Sequence, residues 1–226
     1  EFVHSPSFFP PFLIVLSSWR SSMAAMRATT SARIVTSLLL FKLLSASATL
    51  PTYMKCGDGV SLCGVLTLES GYGHGVYQHK LPSVHGLWPQ VKEYGTSQCV
   101  APQDSHAPDP SKVYECYQHA DEDPKDAVGF EVHEWTKHGK CAGVVDADDY
   151  FAQICSMAAS PLQLLSRARS AGADFATMGK LLESSGYPLY HLDEEEDQFY
   201  LSACSQQNRT WVLANVSDMH IKCAGA

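Results

Sequence analysis

Apolar and polar residues alternate from Leu62 to Glu69 in a β-rich stretch, which predicts a strand, and the run Gly71-Tyr72-Gly73-His74-Gly75 ends it in a loop. Val84 to Trp88 predicts a second short strand, closed by Pro89. From Val91 to Pro124 no period is sustained, and Gly, Pro, Ser and Asp dominate, so this stretch is predicted as loop with one short helix. The period becomes helical from Gly129 to Lys140, with Gly139 placed to end the helix. Three more helices are predicted after it. Asp146 caps one running to about Ala159, Ser160-Pro161 reads as a cap followed by proline at the first helical position, and Asp174 caps Phe175 to Ser184. Phe175, Met178, Leu181 and Leu182 share one face of the last, and Gly186 stops it. Gln198 to Cys204 places Phe199, Leu201 and Ala203 on one side of a strand, and a polar turn leads to another at Thr210 to Asn215. This mix implies an α+β domain, a central antiparallel sheet flanked by helices.

The first fifty residues read differently. Arg27 and Arg33 precede an apolar run from Ile34 to Leu44, and Ala46-Ser47-Ala48 follows, the pattern of a signal peptide cut after Ala48. The run is interrupted by Lys42 and is too short for a membrane span, which needs roughly 20 apolar residues. Position 1 is Glu, and Met23 and Met26 are the first plausible starts. Residues 1–48 are therefore expected to be upstream sequence and signal peptide, with residues 49–226 forming a single domain. A hydrophobic content of 45% with 18% charged residues is enough to bury a core, which excludes a disordered chain.

Charge narrows the function. Residues 1–48 hold four of the 16 basic residues (Arg20, Arg27, Arg33, Lys42) and one of the 24 acidic ones (Glu1), so 12 basic and 23 acidic residues remain after cleavage, a net charge of −11. A protein that coats nucleic acid regardless of sequence carries the opposite sign, because Lys and Arg supply its affinity. Any RNA bound here is a substrate held locally. All eight cysteines follow the predicted cut, and none forms a C-x-x-C pair, so four disulfides are expected rather than a zinc site. Asn208-Arg209-Thr210 and Asn215-Val216-Ser217 are N-glycosylation acceptors, compatible with export.

Two segments carry candidate chemistry: Val84-His85-Gly86-Leu87-Trp88-Pro89, and Phe130 to Cys141, which contains His133-Glu134-Trp135-Thr136-Lys137-His138-Gly139-Lys140-Cys141. On a helix, Glu134, Lys137 and His138 stand at i, i+3 and i+4 and bring a carboxylate, an ammonium and an imidazole to one face. Such a trio suits phosphoryl chemistry. RNA cleavage needs a base for the 2′-hydroxyl proton, an acid for the leaving 5′-oxygen, and donors around the phosphorane oxygens. Histidine serves in both proton-transfer roles, and His85 supplies a second imidazole. Read alone, His133, Glu134, Lys137 and His138 fit a solvated helix face with i, i+4 pairs better than a site.

The two segments resemble the two signature blocks of the secreted acid ribonucleases of the ribonuclease T2 family, His-Gly-Leu-Trp-Pro and His-Glu-Trp-x-Lys-His-Gly-Thr-Cys, in the same order. The resemblance implies an endoribonuclease that cleaves single-stranded RNA through a 2′,3′-cyclic phosphate. His138 is then the general base and His85 the general acid, with Glu134 and Lys137 stabilising charge on the phosphate and His133 binding it. Trp88 and Phe130 fall where the family packs aromatic rings around the base. It implies no cofactor and no metal, a monomer that acts on RNA rather than DNA or a membrane, and a secreted protein or one in an acidic vacuole or lysosome. It also implies disulfides Cys99 to Cys141 and Cys204 to Cys223, and leaves the pairing of Cys56, Cys63, Cys116 and Cys155 open. The chain departs from the family where a Trp-Pro pair usually ends the opening strand, since Val65 to Gly75 holds no tryptophan. Glu131 replaces a common tryptophan, Lys140 a common threonine, and Gln90 an aspartate that some members use to read the base.

Two other readings compete with this one. His133-Glu134 with His138 approaches the zinc motif His-Glu-x-x-His, but i, i+5 turns the second imidazole about 140° from the first at 3.6 residues per turn. A catalytically inert ribonuclease-like storage or recognition protein would commonly have lost a catalytic histidine, and both are present.

Overall fold

The computed structural model describes residues 53–91, 109–118 and 124–224. The predicted signal peptide, Cys99 and most of the predicted loop from Val91 to Pro124 lie outside the described residues. In chain order the elements are β1 (Cys63–Glu69), β2 (Ser83–Pro89), α1 (Pro124–Lys137), α2 (Ala147–Ser170), α3 (Phe175–Ser184), β3 (Leu189–Asp193), β4 (Gln198–Ser205), β5 (Trp211–Leu213) and α4 (Met219–Lys222). The strands form one sheet in the order β2-β1-β4-β3, with β5 pairing the far end of β4, and every pairing is antiparallel. The α+β class with a disulfide-stabilised antiparallel sheet is as predicted.

The sheet buries both faces, each with its own set of alternating side chains. Leu66 and Leu68 of β1, Val84 and Leu87 of β2, and Phe199, Leu201 and Ala203 of β4 join Tyr150, Phe151, Ile154, Ala158 and Leu165 of α2 and Met178 and Leu182 of α3 in the main core. On the other face Val65, Tyr200, Cys63 and Cys204 pack with Met54, Ala214 and Met219 in a smaller cluster. The side chains of Asp146 and Asp174 cap α2 and α3 by accepting from Asp149 N (2.9 Å) and Thr177 N (2.8 Å). Gly186, at φ +83°, follows α3 in a conformation that favours glycine.

Three expectations need correction. Helix α2 runs unbroken through Ser160-Pro161 to Ser170, so two helices stand where three were predicted. Its buried positions 147, 150, 151, 154, 158, 161, 165 and 168 keep one helical stripe across the proline, and burial of that stripe overrides the lost N–H. Helix α1 starts at Pro124, more than a turn earlier than predicted, because the polar first turn carries no periodic signal. Strand β3 was not foreseen: it is five residues long, and a bulge between Leu189 and His191 breaks its alternation. No described helix is long and apolar enough to cross a membrane.

Disulfides join Cys56 to Cys63, Cys116 to Cys155 and Cys204 to Cys223, which settles the pairings left open and agrees with the predicted C-terminal bridge. Cys141 is disulfide-bonded.

Candidate active site

The position of His85 follows from an irregularity in the sheet. Thr67 pairs with Gly86 and Leu68 with Val84, so His85 is the extra residue of a β-bulge in β2, the edge strand. A bulge re-aims a side chain and resets the alternation after it. Val84 and Leu87, three apart, therefore both reach the main core, while Trp88 packs against the smaller cluster. Two buried tyrosines fix the backbone around the bulge: Tyr117 Oη donates to His85 O (3.1 Å) and Tyr150 Oη to Leu87 O (2.7 Å). Burial raises both phenols well above their ordinary titration range, so they remain donors.

The second imidazole comes from the end of α1. Glu131, Glu134, Trp135 and His138 are buried at i, i+3, i+4 and i+7, whereas His133 and Lys137 are exposed. His138 N still donates to Glu134 O (2.9 Å), and the chain then tightens into a 3-10 turn over Gly139–Cys141. A Cβ at Gly139 would lie 2.2 Å from Trp135 Cε3, so the turn fits against the core only with glycine there. Lys137 thus sits on the solvent side of the face predicted for it, and Glu134 and His138 on the protein side.

Between the two imidazoles stand Trp88 and Glu134. The Trp88 ring stacks on His138 (centroids 5.2 Å, 28°) and meets His85 edge-on (4.8 Å, 84°). Trp88 Nε1 donates to Glu134 Oε2 (2.9 Å), and Glu134 Oε1 lies 3.6 Å from His85 Nε2. Gly86 permits this approach, since a Cβ there would be 2.0 Å from Glu134 Oε2. Phe130 lies 5.3 Å from the His85 ring and, with Glu69, Tyr77, Val84, Tyr117 and Leu162, lines an adjoining cavity of about 1060 Å³.

The electrostatic setting separates the histidines. Burial opposes the charged form of His85, but the Glu134 carboxylate beside its Nε2, the charge of Glu69 and the Gln198 amide together raise its pKa. At His138 burial prevails over the Glu134 charge, and His85, His133 and Lys137 add repulsion, so its pKa is lowered to about 4. Exposed His133 and Lys137 therefore act on His138 through their charge.

The predicted site residues His85, Trp88, Phe130, Glu134 and His138 converge. The sequence reading missed Glu69, Ser83 and Gln198, which form a cross-strand row on β1, β2 and β4, and His79 on the loop before β2. The three-residue spacing of Val84 and Leu87 around His-Gly was a readable sign of the bulge; the pairing of Glu69 with distant Gln198 had none. Asn208 and Asn215 are exposed, and Glu131 is buried and accepts from Tyr114 N (2.7 Å).

A sequence model of the Ribonuclease T2 family matches residues 67–173. Over this stretch the chain is similar to the ribonuclease T2 family. The match runs from the middle of β1 to just past α2 and contains both signature blocks, the bulge and the end of α1. That similarity supports ribonuclease activity in general and RNA as the substrate class. No match was found among curated proteins or among solved structures.

Proposed function

We propose that the protein is a secreted endoribonuclease that cleaves single-stranded RNA by transesterification, with His138 as base and His85 as acid. The observation that carries this reading is the pair of imidazoles flanking one indole and one carboxylate, with pKa values displaced in opposite directions. Above about pH 4 His138 is neutral and able to accept a proton, while His85 holds its proton to a higher pH than an ordinary histidine.

In the proposed reaction, His138 removes the 2′-hydroxyl proton and the 2′-oxygen attacks phosphorus. The bond from phosphorus to the 5′-oxygen breaks, and His85 protonates that oxygen, leaving a 2′,3′-cyclic phosphate. Lys137 stabilises the charge of the phosphorane directly and Glu134 does so through the His85 imidazolium that its own charge supports, and His133 holds the phosphate from the solvent side. Trp88 and Phe130 provide apolar contact for a base. DNA lacks the attacking hydroxyl, and the scheme needs no metal and no partner subunit. Disulfides and exposed acceptors at Asn208 and Asn215 fit a glycosylated protein in a secretory or acidic endomembrane compartment. A bridge from Cys99 to Cys141 belongs to the same reading.

The test is incubation of the purified protein with single-stranded RNA and with DNA in EDTA from pH 4 to 8. Cyclic phosphate ends on RNA, a bell-shaped rate profile and intact DNA are expected. Abolition by the chelator, or equal cleavage of DNA, overturns the mechanism.

A further inference from the structure

Glu69 ends β1 only 6% exposed, where a carboxylate needs partners to remain charged. Its Oε2 has two, His79 Nε2 at 2.7 Å and the Ser83 hydroxyl, which donates at 3.1 Å. These satisfy one oxygen. The other, Oε1, is 3.2 Å from His85 Nδ1, and the Gln198 amide reaches the same ring nitrogen at 3.1 Å.

Each ring nitrogen of the two histidines has an oxygen acceptor beside it, and at His85 Nδ1 the Gln198 amide nitrogen stands next to the Glu69 oxygen. His79 Nδ1 meets the Leu81 carbonyl and Nε2 meets Glu69; His85 Nδ1 meets Glu69 and Nε2 meets Glu134. A ring with an acceptor at each nitrogen favours the imidazolium, which alone donates from both. The four side chains make a row of alternating sign: His79, Glu69, His85, Glu134.

The placement of His79 is built into the fold. Arg169, in the last turn of α2, donates from Nη2 to Gly71 O (3.1 Å) and His79 O (3.0 Å) and from Nε to Lys80 O (2.9 Å). Its guanidinium lies 3.7 Å from the centre of the Tyr72 ring, and Tyr72 Oη donates to Ala173 O (2.9 Å). This clasp fixes the loop between β1 and β2 at both of its ends. Gly71, at φ +76° with His79 O 2.5 Å from where a Cβ would stand, admits no side chain.

We infer that Glu69 is a positioning residue for the reaction acid, holding His85 by Nδ1 so that Nε2 faces the scissile phosphate, and that His79 moderates it by sharing the same carboxylate. The inference rests on the proposed role of His85. Removal of the Glu69 charge weakens the hold of His85 on its proton; removal of the His79 charge strengthens it, because Glu69 then acts on His85 alone. A role confined to anchoring the loop moves both variants in the same direction. Other charged or titratable groups face the row: Glu134 and His138 from α1, Tyr77 from the loop, Tyr117 beside His85, and Arg169 from α2. All are retained in the two variants below.

The experiment is a histidine ring NMR titration of the full domain as wild type, Glu69→Gln and His79→Gln, with the His85 signal assigned by its loss in His85→Phe. RNA cleavage is followed across pH in parallel. Glu69→Gln is expected to lower the His85 pKa by about one unit or more, to move the alkaline limb of the cleavage profile down with it, and to reduce kcat while KM stays near wild type. His79→Gln is expected to raise both. An unmoved His85 titration in Glu69→Gln, a shift of the same sign in both variants, or a titration shift that the alkaline limb does not follow overturns the inference. If Glu69→Gln does not fold, His79→Gln decides, and a fall or no change overturns it. A wild-type chain that leaves RNA intact defeats the functional proposal instead, and the titration still decides whether Glu69 governs His85.

Discussion

At the scale of single residues the site depends on close approaches. Gly86 allows Glu134 to reach both His85 and Trp88. Gly86→Ala is expected to push the carboxylate away and to lower kcat on the order of 10²-fold, at a stability cost of about 1–3 kcal/mol, measurable by steady-state kinetics and urea unfolding. In the proposed mechanism His85→Phe and His138→Phe each remove one proton-transfer role, and each is expected to cost roughly 10²- to 10⁴-fold in rate while near-UV circular dichroism stays native. Variants that fold and retain near-normal activity would leave the two signature blocks a purely structural purpose. The blocks made His85, Trp88, Glu134 and His138 legible because their chemistry lies within short runs of sequence. Glu69, Ser83 and Gln198 were not legible: a carboxylate at a strand end next to glycines reads as the start of a loop, and only the register of three strands makes the row. Lys137 shows a further limit, since the i, i+3, i+4 pattern groups it with His138 but does not say where the buried edge of that face falls.

At the scale of elements, the strand and helix periods predicted β1, α3 and β4 closely, since each carries an unbroken alternation or stripe, and the short apolar run closed by Pro89 located β2 despite its bulge. They failed where a local rule met a longer-range one. Ser160-Pro161 is a sound helix start by local chemistry, yet the buried stripe of α2 continues through it. Pro161→Ala is expected to keep the helix and to stabilise the domain by about 1 kcal/mol, the gain in helix propensity (up to about 3 kcal/mol) exceeding the apolar surface lost with the ring. A lower urea midpoint in the variant would mean that the Pro161 ring contributes more by packing than it costs the backbone. The bulge in β2 likewise defeats a strict alternation, and it is the same bulge that frees His85 from the ladder.

For the whole molecule, the two site histidines couple folding to pH with opposite signs. Burial lowers the folded pKa of His138 to about 4, so on acidification the unfolded chain takes up a proton near pH 6.5 that the folded chain refuses until about pH 4. Stability falls over that window, by about 3 kcal/mol if His138 acted alone. His85 is raised, so its contribution is complete below its unfolded pKa and is lost as pH rises through its folded one. His138→Gln is therefore expected to lose less stability than wild type between pH 7 and 4.5, as read by urea midpoints; an equal loss would place the acid sensitivity elsewhere. The sheet sets the hierarchy of motion in which this chemistry takes place. Strand β4 is flanked along its length, by β1 on one side and by β3 and then β5 on the other, and even Ser202, between those two, donates to Pro188 O and accepts from Ala214 N. Its amides can meet deuterium only when the domain opens globally, whereas the amides of the loop between β1 and β2 need only the Arg169 clasp to slip. Gln198, at the start of β4, thus touches His85 from a strand whose amides are expected to exchange slowly, while His79 reaches the same site from a loop whose amides are expected to exchange sooner, as deuterium uptake would show.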